Sequence, residues 1–385
     1  MPSKVKRRQA TKHSRVGRQA HAPRSPEGWS RIVEAATLAR EPGDLKAARA
    51  AFDSLPQQEQ MQLVRELADT RRAELTRAYA DLISVSAGYR LKRDKQGVRR
   101  VTPEVCAILV VKKKWRPKGP GARARRVPEH LFAYWTIDGE RTLCAVPTDV
   151  EDGHRLRRIH PQAQIVATAP AVTKIPIKGA IACAITRDND DTVYAIGCRH
   201  VFGMGLVLDP AKHYGADIRV VDQAAVLGKA TPVAGRLGNG PDLSFDSHLA
   251  RVFDMDALRT ALGGVKATQR AQDWGDLQQG IDYWIITPAG PLRANFVGHY
   301  VDPISYTDSL NDVRHFDLAK FLLPDGATDD GHSGSPVMAD KTGGKLIGMH
   351  IAGDGRDMSL VIPAWQLFHA PWYGVGDETW HLWHV

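Results

Sequence analysis

The run Gly331-His332-Ser333-Gly334-Ser335-Pro336 sets one serine in a glycine-bearing turn directly after Asp329-Asp330. Such a turn lets a hydroxyl stand clear while backbone N–H groups converge on one spot, which is what acyl transfer needs. A serine hydroxyl is a poor nucleophile until a base takes its proton and a third group orients the base. A histidine and a carboxylate are therefore required elsewhere. His200 ends the run Tyr194-Ala195-Ile196-Gly197-Cys198-Arg199 and opens Val201-Phe202-Gly203. Asp246 heads Asp246-Ser247-His248-Leu249-Ala250-Arg251-Val252, whose alternation reads as a strand. Asp242 competes with Asp246 for the orienting role.

The order His200, Asp246, Ser333, with Gly-x-Ser-Gly-Ser-Pro at the serine, resembles the trypsin/chymotrypsin-like serine peptidases, whose triad runs in that chain order. Within that class the chain is most similar to an intracellular bacterial and plant group with an N-terminal accessory region. The similarity is carried by Gly179-Ala180-Ile181-Ala182-Cys183-Ala184-Ile185-Thr186-Arg187-Asp188, by the Asp246–Val252 run, by Thr287-Pro288-Ala289-Gly290-Pro291-Leu292-Arg293-Ala294, and by Leu346-Ile347-Gly348-Met349-His350-Ile351-Ala352-Gly353.

The resemblance implies that Ser333 attacks a carbonyl, His200 shuttles the proton and Asp246 holds the imidazole tautomer. It also implies an oxyanion hole from the N–H groups of Gly331 and Ser333, each such donor being worth about 3 kcal/mol. The strand after the serine would line the primary pocket with His350, Ile351, Ala352 and Gly353. Family members that prefer glutamate carry a histidine at a position similar to His350, where an imidazolium pairs with the substrate carboxylate; the alternative is a histidine packed under the pocket floor. Ala327, six residues before Ser333, replaces the aspartate of a trypsin-like pocket, so cleavage after Lys or Arg is not expected. One position departs from the family. The residue directly before the serine is usually aspartate and here is His332, which leaves the oxyanion loop preformed, held by Asp329 or Asp330, or unformed. It also leaves no acid to receive a freed N-terminus.

These residues need a scaffold. Residues 156–375 alternate short strands with Gly, Pro and Asp turns, the clearest strands being 179–186, 193–196, 233–237, 246–252, 283–287, 294–300, 316–322, 335–338, 346–351 and 358–362. Many short strands without a long helix indicate a sandwich or barrel. The resemblance implies a mainly β, chymotrypsin-like double six-stranded β-barrel, with His200 and Asp246 from the first barrel and Ser333 from the second. Residues 363–368 read as a short helix or turn, and 376–385 as a tail whose Trp380-His381-Leu382-Trp383-His384 has no reading.

A small helical module and a small α/β segment precede the barrels. In the module, residues 25–82, three helices are expected: one capped at Ser25-Pro26-Glu27 and ended at Pro42-Gly43, one from Asp44 through Phe52 to Pro56, and a long one with Met61, Val64, Ala68, Leu75, Tyr79 and Leu82 on one face. Residues 83–155 form the accessory segment, with strands at 84–89, 105–111 and 143–146 and a basic loop around Trp115. The phrase Val146-Pro147-Thr148-Asp149-Val150 resembles the one that precedes the peptidase domain in the similar group.

The chain has 385 residues and 43% hydrophobic content, enough for two or three domains. Its net charge is +9, of which eight charges lie in residues 1–24, a disordered basic tail without an acid. No apolar run suggests a secretory signal or a membrane span, so a cytoplasmic protein is expected. Cys106, Cys144, Cys183 and Cys198 read as reduced, buried thiols, with Cys183 and Cys198 near enough in one hairpin to pair under oxidation. No cofactor is expected. A metal site from His200, His332 and His350 has no ligand spacing to support it. Three functions compete: a serine endopeptidase acting on protein or peptide, with control by a regulatory protein partner; a catalytically silent trypsin-fold module that engages protein or nucleic acid through its basic segments; and an esterase. Nucleic acid is the less favoured partner of the basic tail.

Overall fold

The computed structural model describes residues 45–79, 81–111, 127–152, 165–168, 177–188, 190–203, 215–223, 225–236, 244–301, 303–304, 313–314, 317–329 and 331–384. The basic tail, the helix expected at 25–42, the loop around Trp115, Asp242 and Asp330 lie outside these residues.

Two helices come first, α1 (Leu45–Ser54) and α2 (Gln57–Ala78), separated by Pro56, which cannot continue α1. α2 buries Leu63, Val64, Leu67, Ala68 and Leu75 along one face, broadly the stripe expected from the sequence. It stops earlier than expected. Tyr79 already has extended dihedrals, and Leu82 opens a strand, because the Leu82-Ile83-Ser84-Val85-Ser86 stretch follows a strand's alternation and not a helix's.

Strands dominate the remainder. In chain order they are β1 (Leu82–Arg93), β2 (Arg99–Val111), β3 (His130–Ile137), β4 (Glu140–Asp152), β5 (Ile165–Thr168), β6 (Ile177–Gly179), β7 (Cys183–Arg187) and β8 (Asp190–Gly197). After a helical turn α3 (Arg199–Phe202) follow β9 (Asp217–Val220), β10 (Val226–Ala234), β11 (His248–Val252), α4 (Met255–Ala261), β12 (Lys266–Arg270), β13 (Asp282–Thr287) and β14 (Gly290–Tyr300). The chain continues through β15 (Pro303–Ile304), β16 (Val313–Arg314), β17 (Leu318–Leu322), β18 (Pro336–Asp340), β19 (Gly343–Gly353), β20 (Met358–Pro363), α5 (Ala364–Leu367) and β21 (Trp380–Leu382).

Strands β13-β18-β19-β20-β17-β14 form an antiparallel sheet that closes on itself through a β13–β14 ladder, giving a six-stranded barrel. A second antiparallel sheet runs β21-β7-β8-β11-β10-β9-β5-β6. The fold is mainly β and built on a barrel, as the pattern of short strands and turns predicts.

The accessory strands are continuous with the closed barrel. β1 joins β14 at Gly88 and Gly298, where the backbones come so close that a Cβ on either glycine would collide with the other strand. β2 then extends the sheet antiparallel to β1, β4 lies parallel to β2, and β3 pairs antiparallel with β4. Cys106, Ile108 and Val110 of β2 pack on Val297, Leu322 and Met358 of the barrel. Beside this seam Lys320 of β17 forms a buried ion pair with Glu151 of β4, at 1% and 6% exposure.

The terminal aromatic stretch also has a place. β21 adds to the edge of β7, pairing Trp380 with Arg187, and Arg187 holds Glu378 through two hydrogen bonds of 2.9 and 3.0 Å. All four cysteines are buried and free, so Cys183 and Cys198 are unpaired thiols as first expected. Burial raises each thiol's pKa, which keeps it protonated and unreactive. Among the described residues no helix is long and apolar enough to cross a membrane.

Candidate active site

β8 and β11 are antiparallel neighbours, with Gly197 opposite His248. The end of β8 thus lies beside the start of β11, so His200, three residues beyond Gly197, meets Asp246, two residues before His248. The ring Nδ1 of His200 lies 2.6 Å from Asp246 Oδ2, and the His200 backbone N–H donates to Oδ1 of the same carboxylate at 3.0 Å. Asp246 is fully buried, whereas the His200 side chain keeps 19% of its surface. A carboxylate at Nδ1 fixes the proton on that nitrogen and leaves Nε2 as the lone pair, the tautomer of a general base.

The Asp246 segment is braced from several sides. Ser247 Oγ lies 2.7 Å from the Tyr373 hydroxyl, which itself donates to Leu367 O at 2.9 Å, so the Ser247 hydroxyl is the donor of that pair. Phe245 packs edge-on against Tyr373, with ring centroids 5.3 Å apart. Gly235 N–H donates to Ser247 O at 2.6 Å, and the Arg199 guanidinium donates to Gly235 O. These bonds join the segments on either side of the carboxylate to the residue preceding His200.

Ser333 sits in the turn that enters β18, with Gly331 at φ 92° and Gly334 at φ 97°. Those left-handed dihedrals explain both glycines: a side chain would be strained there, and a Cβ on Gly334 would also strike Ala180 O. Ser333 O accepts from Ala180 N–H at 2.8 Å, Gly334 N–H donates to His350 O at 2.8 Å, and His350 N–H donates to Ser335 O at 2.9 Å. The thiol of Cys198 also lies 3.6 Å from His350 O. Ala180 directly follows β6 and Cys198 directly follows β8 of the eight-stranded sheet, whereas Ser333 leads into β18 and His350 lies in β19 of the barrel. These bonds therefore hold the His200 and Ser333 segments together where the two sheets meet. The Ser333 hydroxyl donates to Ile351 O at 3.2 Å, its one hydrogen bond among the described residues, and not to His200. Hydrogen bonds between such groups are often loose or absent without substrate.

His332 is buried. Its Nδ1 accepts from Asp329 N–H at 3.0 Å, and its own N–H donates to Asp329 O at 3.1 Å. Burial lowers its pKa, and the Asp329 charge opposes that shift only in part. Among the described residues neither Gly331 N–H nor Ser333 N–H has an acceptor in the chain.

The strand predicted to line a pocket is β19. His350 is 2% exposed, and its Nδ1 lies 2.8 Å from Ser359 Oγ. Burial, together with the nearby His332 and His200 rings, pushes its pKa from 6.5 down to about 3. The ring is a neutral, packed group, closer to the pocket-floor alternative than to a standing imidazolium. A histidine that protonates in the unfolded chain but not in the folded one stabilises the fold above pH 6.5. That contribution is lost as the pH falls from 6.5 towards about 3. Urea midpoints measured across this window are expected to drop more steeply for wild type than for His350→Gln; equal slopes would exclude His350 as a source of acid sensitivity. Ile351 is buried, Ala352 is half-buried, and Gly353 lies so close to Thr328 Oγ1 that a Cβ there would collide with it.

Cys198, His200 and Asp246 offer donor atoms within 4.8 Å of one another, as a metal site would. The donor chemistry argues for another use. Both Asp246 oxygens already accept from His200, and the buried Cys198 thiol is held protonated with His350 O beside it. Sequence reasoning missed the Ala180, Cys198 and Tyr373 contacts, because each joins segments more than a hundred residues apart and leaves no local pattern.

No family model matches the chain, and no curated protein does. Among solved structures, the Rv3671c protease from M. tuberculosis in its active form aligns with a TM-score of 0.32 and 15% identity, over 56% of this chain and 81% of that one. The inactive form of the Rv3671c protease aligns with a TM-score of 0.29 and 16% identity, over 52% of this chain and 83% of that one.

Proposed function

We propose that the chain is a serine endopeptidase that hydrolyses peptide bonds through an acyl-enzyme on Ser333. The observation that carries this reading is the buried Asp246 carboxylate 2.6 Å from His200 Nδ1, beside a serine turn whose Gly331 and Ser333 N–H groups are without acceptors among the described residues. In the reaction Ser333 Oγ leaves Ile351 O and gives its proton to His200 Nε2 as it attacks the carbonyl carbon of the substrate. The resulting imidazolium is stabilised by Asp246, and the Gly331 and Ser333 N–H groups receive the oxyanion. His200 then protonates the leaving amine, and a water activated by the same nitrogen hydrolyses the ester. His350, Ile351, Ala352 and Gly353 would form the wall beside the residue preceding the scissile bond.

A second reading rests on one observation, the Ser333 hydroxyl bonded to Ile351 O and not to His200: a silent trypsin-fold module that binds protein or nucleic acid. A fluorophosphonate probe separates the two, because only an activated serine reacts quickly. Wild type is expected to label stoichiometrically, and Ser333→Ala and His200→Ala not at all. A folded wild type that stays unlabelled would rule out the peptidase and leave the binding module.

A further inference from the structure

We infer that His332 is a positioning residue, whose imidazole accepts a hydrogen bond inside the serine loop and, together with the Ala180 and His350 bonds to that loop, holds the Gly331 and Ser333 N–H groups ready. The inference rests on the peptidase reading and adds to it the way the loop is held.

Three observations carry it. Asp329 and His332 clasp each other twice: Asp329 N–H donates to the ring Nδ1 at 3.0 Å, and His332 N–H donates to Asp329 O at 3.1 Å. The clasp encloses Gly331 in its left-handed conformation, and Ser335 N–H closes the next turn on His332 O at 2.9 Å. His332 therefore supplies a ring acceptor, a backbone donor and a backbone acceptor to one loop, while the N–H groups on either side of it, Gly331 and Ser333, are left free among the described residues. Finally, the ring is 3% exposed and its Nε2 is buried with no partner among the described residues. Since Nδ1 accepts, the ring proton is on Nε2, and a buried donor without an acceptor is a cost that native structures seldom carry without a reason.

The choice of histidine follows from charge. A buried carboxylate at this position would accept the same Asp329 N–H, but it would need a cation beside it. Among the described residues the titratable groups that act on the ring are Asp329 and His350, and burial holds His350 neutral. Neutral imidazole gives the acceptor without the charge, so the loop needs no liberated amine and no cleavage event to order it.

Two substitutions test this. His332→Asn keeps an acceptor near the place of Nδ1, whereas His332→Leu keeps bulk and loses the acceptor. With folding verified by thermal melts, His332→Leu is expected to lower kcat about a hundredfold, the size of effect seen when an oxyanion donor is lost, and His332→Asn less than tenfold. KM should change little in either, because the substrate pocket is untouched. Equal losses in the two variants, or none in His332→Leu, would overturn the inference. Amide hydrogen exchange at Asp329 gives a readout that needs no activity: exchange is expected to accelerate in His332→Leu and not in His332→Asn. If wild type proves unreactive to fluorophosphonate while this exchange pattern holds, the peptidase reading fails and the clasp stands; if the exchange does not differ, the clasp fails whatever the activity.

Discussion

Asp246→Asn is expected to lower kcat about ten-thousandfold while leaving KM and the fold nearly intact. The amide oxygen can still accept from the His200 backbone N–H in place of Oδ1, which is 3.0 Å away. The amide nitrogen, however, takes the place of the oxygen 2.6 Å from Nδ1, and a donor there forces the ring proton onto Nε2. Nε2 then has no lone pair for the Ser333 proton, and no carboxylate remains to stabilise an imidazolium. Steady-state kinetics on a peptide and on an activated ester check this, with near-ultraviolet circular dichroism to verify the fold. A variant that kept more than about a tenth of wild-type kcat would show that the His200–Asp246 pair is not the base the peptidase reading needs.

The second large effect concerns stability. Lys320→Met leaves Glu151 buried without its cation, and removing one partner of a buried ion pair costs about 3–5 kcal/mol. The melting temperature is expected to fall by on the order of 10 °C. Since Lys320 belongs to the closed barrel and Glu151 to β4, the loss is one of attachment between the accessory strands and the barrel. The double variant Lys320→Met with Glu151→Leu is expected to recover most of the loss, because well-packed apolar residues often match a buried pair. Additive effects of the two substitutions in a double-mutant cycle would show that the pair is not coupled.

Much of this architecture was legible in the chain. The alternation after Asp246 and the apolar run into His200 predict strands that are β11 and β8, and once these lie antiparallel their ends bring the two residues together. Other elements left weaker marks. β12 is mostly polar and exposed because it sits beside β19 at an edge, so it has no apolar alternation to read. β10 was expected near Val233–Leu237 but spans Val226–Ala234, since its pairing with both β9 and β11 sets its extent more than its composition does. β3 is not among the expected strands, yet it carries a clear alternation that the sequence could have shown, with Leu131, Ala133 and Trp135 buried. His332 stood out as a departure from the family, but its role depends on a loop conformation imposed by Gly331 and Gly334 and by Ala180 and His350 on neighbouring segments. No spacing rule encodes those contacts.

The position of β21 bears on the order in which the molecule is completed. While a chain is being synthesised, β7 has an open edge until residues 380–382 have emerged, and Ser247 lacks its Tyr373 partner until residue 373 has. His200 and Asp246 are therefore made early but braced late, after the Ser333 loop has left the ribosome. Ladders between distant segments, such as β1 with β14 and β7 with β21, form slowly because a long loop must close before any contact repays it. On the peptidase reading, the His200–Asp246 pair is therefore fully braced only after residues 373–382 have been made, and a shorter nascent chain has little capacity to cut its neighbours.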